Sequence, residues 1–109
     1  MSPLIEKYRE KPMPNGLFTE LQSLGFAWGK VAATYGEAVD WLSERNVSVS
    51  MEEDNGELSF KTWKTSDEHD LCIEKHNMTN ESEAIREVIW RAACLFRIIY
   101  YDDYHFNYD

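Results

Sequence analysis

Two stretches of the chain carry apolar residues at the 3.6-residue period of an amphipathic helix. The first follows Thr34, whose hydroxyl can accept a backbone N–H of the first turn while Glu37 reaches back to the N–H of Thr34. The second follows Asn80, which is expected to form a capping box with Glu83, with Thr79 as the rival cap. This stripe continues to Ile99, which makes it the longest predicted element. Each stripe covers one side only, so we expect both helices to pack one face against a core.

Between these helices the period changes to two, which is the repeat of a strand with one buried face. Residues 47–52 alternate between apolar and polar, and residues 58–63 return with the same alternation. The turn between them, Asn55-Gly56, favours a hairpin because both residues accept a positive φ. A third strand then directs Leu71 and Ile73 to the apolar face. The opposite, solvated face is expected to carry Trp63, Cys72, Glu74 and His76.

The first 33 residues are predicted to form a helical cap on this core. Ser2-Pro3 starts a short helix, with Ser as the cap and Pro at the first helical position. Asn15 is expected to cap a second short helix, which Gly25 ends. The segment Phe26–Gly29 is expected to be a packed loop, and its Trp28 is assigned, like the other tryptophans, to the core or its edge.

The last ten residues, 100–109, are rich in aromatic side chains, which make up five of the ten. Tyr104, Phe106 and Tyr108 alternate with polar residues, and exposed aromatic side chains favour association. We expect this segment either to pack back on the domain, as a short strand, or to form a homo-oligomer interface through these three residues.

Together these elements predict an α+β fold with a two-layer α-β-β-β-α core. Short loops join the strands, so the sheet should be three-stranded and antiparallel, with both helices on its apolar face. A chain of 109 residues has room for a single domain. Within it, residues 1–33 form the N-terminal helical cap, residues 34–99 the core and residues 100–109 an aromatic C-terminal tail.

The formal net charge is −9, from 20 acidic residues against 11 Lys and Arg, and the excess lies in residues 37–83. Such a field repels nucleic-acid phosphates and attracts basic proteins, although a solvated acidic face also serves solubility alone. Trp63, which lies near two lysines on the solvated face, would be a natural anchor for a partner. The residues expected to contact a basic protein partner are Glu52, Glu53, Asp54, Glu57, Trp63, Asp67, Glu68, Asp70 and Glu74.

No pattern in the chain indicates a catalytic residue, a cofactor or a metal site. His69, Cys72 and His76 are the nearest approach to a metal-binding sequence. On a strand, Cys72 and His76 would lie roughly 13 Å apart at about 3.3 Å per residue, whereas zinc ligands lie within about 2.3 Å of one ion. His69 would face the other side of the sheet.

No apolar run approaches the roughly 20 residues of a membrane span. Residues 1–4 also lack the basic and apolar regions of a secretion signal. We therefore expect no membrane partner and a cytoplasmic location. In that reducing compartment Cys72 and Cys94 are expected to be thiols.

The segment Tyr35–Phe96 resembles small uncharacterised proteins encoded by phages and mobile elements of gut bacteria. The shared features are a capped start leading into Glu37-Ala38-Val39-Asp40-Trp41-Leu42, a strand Val47-Ser48-Val49, and Glu83-Ala84-Ile85 in the final helix. The resemblance implies an α-β-β-β-α order and a phage or prophage setting, and it supplies no catalytic residues.

Double-stranded-RNA-binding domains share the same element order, but they present basic residues to the phosphates of the RNA. Lysines would be needed at the start of the last helix, where this chain has Asn80-Glu81-Ser82-Glu83. We therefore expect no nucleic-acid partner, because a shared order of elements does not carry function.

These observations favour a non-enzymatic protein-interaction or regulatory module that acts on a basic protein, in the phage setting a protein of the bacterial host. In its sharpest form, the acidic surface would mimic nucleic acid in a basic groove. One alternative is a small enzyme with a site near Asp102, Asp103 and His105. Another is a homo-oligomeric structural protein assembled through the tail.

Overall fold

The computed structural model describes the backbone of residues 2–108 and the side chains of residues 2–67, 69 and 71–100. The three strands form one antiparallel sheet in the order β1-β2-β3, and the long helix follows them, so the predicted α+β fold is confirmed. The elements are α1 (Pro3–Tyr8), α2 (Asn15–Gln22), α3 (Tyr35–Glu44), β1 (Val47–Asp54), β2 (Glu57–Lys64), β3 (Asp67–Met78) and α4 (Glu81–Tyr108).

The β1–β2 hairpin turns at the two residues that the sequence indicates. Asn55 and Gly56 have φ values of 53° and 80°, and the strands pair from there without a shift. Met51 therefore lies opposite Phe60, and both are almost fully buried under the helices. The apolar face of the sheet is thus the one predicted from the alternation of side chains.

Both main helices begin at the predicted caps. The Thr34 hydroxyl accepts the N–H of Glu37 at 3.2 Å, and the Glu37 carboxylate accepts the N–H of Thr34 at 3.4 Å. The Lys30 ammonium beside Glu37 lowers the pKa of that carboxyl group. Asn80 accepts the N–H of Glu83 at 3.1 Å at the start of α4. These local bonds explain why both helix starts were predictable.

The N-terminal helix α1 is tied to the sheet by its cap residue. Ser2 stands at the N-cap position, but its hydroxyl makes no bond within the helix. Instead it accepts the N–H of Met51 at 3.3 Å and donates to the carbonyl of Met51. Ile5, one turn later, is only 1% exposed, so α1 closes the side of the core next to β1.

The other end of α1 is fixed to the start of α4. The Glu81 carboxylate accepts hydrogen bonds from Lys7 Nζ at 2.8 Å and from the Tyr8 hydroxyl at 3.1 Å. These two donors lower the pKa of Glu81, and the same contact raises the pKa of Lys7. Burial, and after it the hydrogen bond to Glu81, raises the pKa of Tyr8. Tyr8 therefore donates its proton in a bond to a charged acceptor.

The prediction that Asn15 caps α2 is wrong. Pro14 occupies the cap position, and Asn15 is the first helical residue. The reason is tertiary: Pro12 pairs with Thr34, and the N–H of Met13 donates to the carbonyl of Ala33. The chain leaves this extended pairing only at Pro14, which fixes where the helix begins.

The prediction of a short strand in the tail is also wrong, because α4 continues to Tyr108. Extending an existing helix adds one backbone bond per residue, whereas a new strand would have to start elsewhere. The side chains of Tyr104, Phe106 and Tyr108 lie outside the described residues, as do those of Asp102, Asp103 and His105. The homo-oligomer and enzyme predictions for this segment therefore stay predictions.

Candidate interaction surface

The outer face of the sheet is the side opposite the helices. Helices α3 and α4 pack on the other side, and no described residue in the rows of the outer face is buried. Trp63 and the Cys72, Glu74 and His76 row lie on it, as the alternation predicts. The rows are Ser48, Ser50 and Glu52 on β1, Ser59, Lys61 and Trp63 on β2, and Cys72, Glu74 and His76 on β3.

Trp63 lies half-buried on the central strand β2, one residue from the end opposite the hairpin. The ammonium of Lys61 stands 5.1 Å from the centre of its ring, within the range of a cation–π contact. Trp63 lies opposite Ser48 on β1 and opposite Cys72 on β3. Its ring is therefore flanked by small or polar side chains, which leave it accessible to a partner.

The third-strand row is linked through Glu74. One carboxylate oxygen of Glu74 lies 3.2 Å from His76 Nε2, and the other lies 3.7 Å from Cys72 Sγ. Cys72 and His76 therefore flank the carboxylate and do not meet. In the described residues, no group of three or more His, Cys, Asp or Glu side chains is arranged to hold a metal ion.

Four of the predicted partner-contact residues surround the hairpin turn, and we call them the acidic hairpin: Glu52, Glu53, Asp54 and Glu57. All four are exposed. None of them forms an ion pair with the part of the chain that the structure describes. This end of the sheet therefore carries four carboxylates outside any ion pair of the described residues, of which Glu53 lies near enough to Lys7 to raise the pKa of that ammonium group, after the larger effect of Glu81.

The remaining acidic residues lie elsewhere on the sheet. Asp67 pairs with Lys64 at the opposite end of β2, roughly 23 Å from the hairpin at about 3.3 Å per residue. Glu68 and Asp70 follow it on β3, and their side chains lie outside the described residues. Glu74 is between the two ends. The predicted set is thus spread over two ends and the centre and does not form one cluster.

The prediction that Trp28 lies in the core or at its edge is wrong. Its side chain is 85% exposed, whereas the neighbouring Phe26 is 3% exposed. The left-handed conformations of Ala27 (φ 48°) and Gly29 (φ 84°) turn the chain so that Phe26 enters the core and Trp28 leaves it. Residue type alone does not reveal this, because Ala is rarely left-handed.

Two grooves were also missed. One runs beside β1 between α1 and α3, with Ser2, Val39 and Val49 among its lining residues. The other lies between α2 and α4 and includes Leu17 and Trp90. Each groove is formed by residues that are far apart in the chain. The signal in the sequence that could have indicated them is the number of tryptophans, since Trp63 and Trp90 are among the lining residues.

No protein-family model, curated protein or solved structure matches this chain. The resemblance to phage-encoded proteins therefore stays a prediction. Among the described helices, none has both the length and the apolar character needed to cross a bilayer.

Proposed function

We propose that this chain is a non-enzymatic protein-interaction module that binds a basic protein partner through the outer face and the acidic hairpin. The observation that carries the proposal is a sheet face on which no described element packs and whose central strand carries a half-buried tryptophan near the end opposite the hairpin. Tryptophan is enriched among the residues that dominate binding energy at interfaces. The charge around it determines the kind of partner.

The sheet favours a positively charged partner. Residues 47–78 contain eight Asp and Glu against three Lys, and one of those lysines, Lys75, is matched by Glu87 at 3.0 Å. A surface with this excess speeds association with a basic protein and discourages acidic ones. In the phage setting implied by the resemblance, the partner would be a cytoplasmic protein of the bacterial host.

The arrangement of the acids supports a partner with separate basic patches better than it supports close mimicry of nucleic acid. A duplex presents charge continuously, about one phosphate charge every 1.7 Å along its axis. Here the acidic hairpin lies at one end of β2, whereas Trp63 lies at the other end, next to the pair of Lys64 and Asp67. A partner would therefore place one basic region at the hairpin, and an apolar contact beside a second basic region at the opposite end.

The proposal is tested with two variants of equal net charge. The first replaces Glu52, Glu53, Asp54 and Glu57 by their amides. The second, a control, makes the same change at four exposed acids away from the outer face: Glu6, Glu10, Glu44 and Glu83.

Each protein is immobilised and exposed to a bacterial lysate at low and high salt, and affinities for the purified captured protein are then measured. The hairpin variant should bind at least about fourfold more weakly, since each of the four exposed charge pairs contributes roughly 0.2–1 kcal/mol. The control should bind like the parent chain. Equal loss in both variants, or binding that does not change with salt, would refute the proposal.

A further inference from the structure

The backbone of β3 has one side turned away from the sheet. In an antiparallel ladder, alternate residues direct their N–H and C=O groups to the same neighbour. Thr65 donates to the carbonyl of Asn46 at 2.9 Å, so the odd-numbered residues at this end of β2 bond to β1. The even-numbered Phe60 and Thr62 therefore bond to β3.

The residues of β3 that face β2 follow from this alternation. Thr62 pairs with Ile73 and Phe60 with Lys75, so Ile73 and Lys75 direct their backbone groups into the sheet. Glu74 and His76 direct theirs outward, along the free side of β3, which we call the β3 edge. Their side chains are 49% and 66% exposed.

Nothing in the described chain closes the β3 edge. Among the described elements, β2 and α4 make the main contacts with β3, and the side chains of Glu74 and His76 remain exposed beside them. No hydrogen bond within the described residues reaches the outward backbone groups of Glu74 or His76. Such an edge is a template for pairing with another extended chain.

Apolar surface accompanies these backbone groups. Leu71 and Ile73 point to the helix side of the sheet but are only half-buried. The contact between Lys75 and Glu87 places one flank of α4 beside β3, and Ile98, eleven residues further on, lies on the same flank by helical spacing. Ile98 is 43% exposed. An added strand would cover apolar surface on this side.

We propose that the β3 edge accepts an extended basic segment of the partner protein as a fourth strand of the sheet. This inference rests on the proposed function and specifies how the partner binds. β3 carries Asp67, Glu68, Asp70 and Glu74, while the charge of its single lysine is matched by Glu87. Positive side chains on the added strand would therefore be favoured.

A second copy of this chain fits the β3 edge less well. Antiparallel pairing of two copies centred on Glu74 would set Glu74 against Glu74, and like charges directly opposite each other destabilise a sheet. In every register, each copy also carries a net charge of −9. A basic segment avoids this repulsion.

The expected sequence pattern of the segment is an alternation. Side chains on the outer side would lie beside Glu74 and should be Lys or Arg. Side chains on the helix side would cover Leu71 and Ile73 and should be apolar. Main-chain bonds then supply affinity, and the alternate side chains supply specificity.

The probe for this proposal is a peptide of alternating lysine and valine, about nine residues long. At millimolar peptide, the amide exchange of Glu74 and His76 should slow, and their amide resonances should shift in ¹⁵N spectra. Exchange at Ile73 and Lys75, which already face β2, should change little. Unchanged exchange at Glu74 and His76 would overturn the proposal.

Two methylated versions of the peptide separate strand addition from attraction between charges. N-methylation of the lysines blocks antiparallel addition, because the residue opposite Glu74 is then a lysine that donates to it. N-methylation of the valines blocks parallel addition instead. Strand addition therefore requires one version to bind about tenfold more weakly than the other. Equal binding of the two versions would overturn the proposal.

A pair of substitutions at one position provides a second test. Glu74→Gln removes the charge, whereas Glu74→Pro removes the charge and also an outward N–H that bonds to no other strand. Binding should weaken a few-fold in the first variant and at least about tenfold in the second. Retained protection of Ile73 and Lys75 would show that the proline variant is folded, and equal weakening in the two folded variants would overturn strand addition.

These outcomes are distinguishable from failure of the proposed function. If the peptides show charge binding without pairing while the acidic hairpin still determines capture of a basic partner, only the strand addition is wrong. If the hairpin variant and its control capture the same proteins, the proposed function is wrong, whatever the peptides do at the β3 edge.

Discussion

The two edge strands of the sheet, β1 and β3, differ in what happens to the backbone groups that point away from β2. At β1, the hydroxyl of Ser2 bonds to both backbone groups of Met51, and Met51 is completely buried. At β3, the outward groups of Glu74 and His76 face solvent between exposed side chains. The chain thus closes the β1 edge at Met51 with the start of its N-terminal helix, whereas the outward groups of Glu74 and His76 have no such cover in the described residues.

The accessible edge still has features that limit indiscriminate pairing. Charged side chains and bulges are common ways to protect an exposed edge. β3 has acidic residues along its length, and its register with β2 shifts near both of its ends. At the C-terminal shift, Asn77 is left-handed with a φ of 62°. Only a short regular stretch is available, and its charge selects the partner.

The largest expected difference between the edges concerns their apolar residues. Ile5→Ala should lower the free energy of unfolding by about 2–5 kcal/mol, because Ile5 is 1% exposed and its truncation leaves a cavity. Ile73→Ala should cost about half as much or less, since Ile73 is half-buried and the site can fill with solvent. Urea unfolding of both variants measures this, and equal losses would mean that the β3 edge is as well packed as the β1 edge.

A smaller effect is expected at the bond that closes the β1 edge. Ser2→Ala should cost about 1–3 kcal/mol, because the N–H and C=O of Met51 lose their partner in a buried position. Amide exchange at Met51 should accelerate in this variant, while Glu74 and His76 should be unaffected. If Met51 exchanges at its original rate, α1 does not depend on the serine hydroxyl.

The smallest expected effect is a pH dependence confined to the β1 side. Because Lys7 and Tyr8 lower the pKa of Glu81, this contact contributes fully above the usual carboxyl pKa of about 4.3 and is lost as the pH falls through the lowered value. The protection of the Met51 amide, which is its exchange rate relative to that of an unfolded chain at the same pH, should therefore fall at acidic pH more than the protection of Glu74. Glu81→Gln is the control, and this extra loss of protection should be absent from it.

Short-range chemistry made part of this fold predictable. The Thr34 and Glu37 cap, the Asn80 cap and the Asn55-Gly56 turn depend on residues within a few positions of each other, and all are confirmed. Asn46, expected to end α3 in a left-handed conformation, has a φ of 69°. In each case one side chain or one φ value decides the outcome locally.

The features that were not predicted depend on distant residues. The start of α2 is set by the pairing of Pro12 with Thr34, which displaces the expected cap at Asn15. The difference between the two edges depends on Ser2 meeting Met51, 49 positions later. For the candidate surface, the alternation of side chains correctly placed Trp63 and Glu74 on the outer face. It did not show that the acidic residues of the predicted set lie at opposite ends of the sheet.

The attachment of α1 also has a consequence for synthesis on the ribosome. Ser2 needs Met51, and Lys7 needs Glu81, which is 74 residues further along the chain. The strands, joined by two-residue turns, can pair as soon as each has emerged, because close neighbours in sequence meet first. The earliest residues to be translated are therefore among the last to reach their final positions, and α1 lacks its contact with Glu81 until the beginning of α4 has left the exit tunnel.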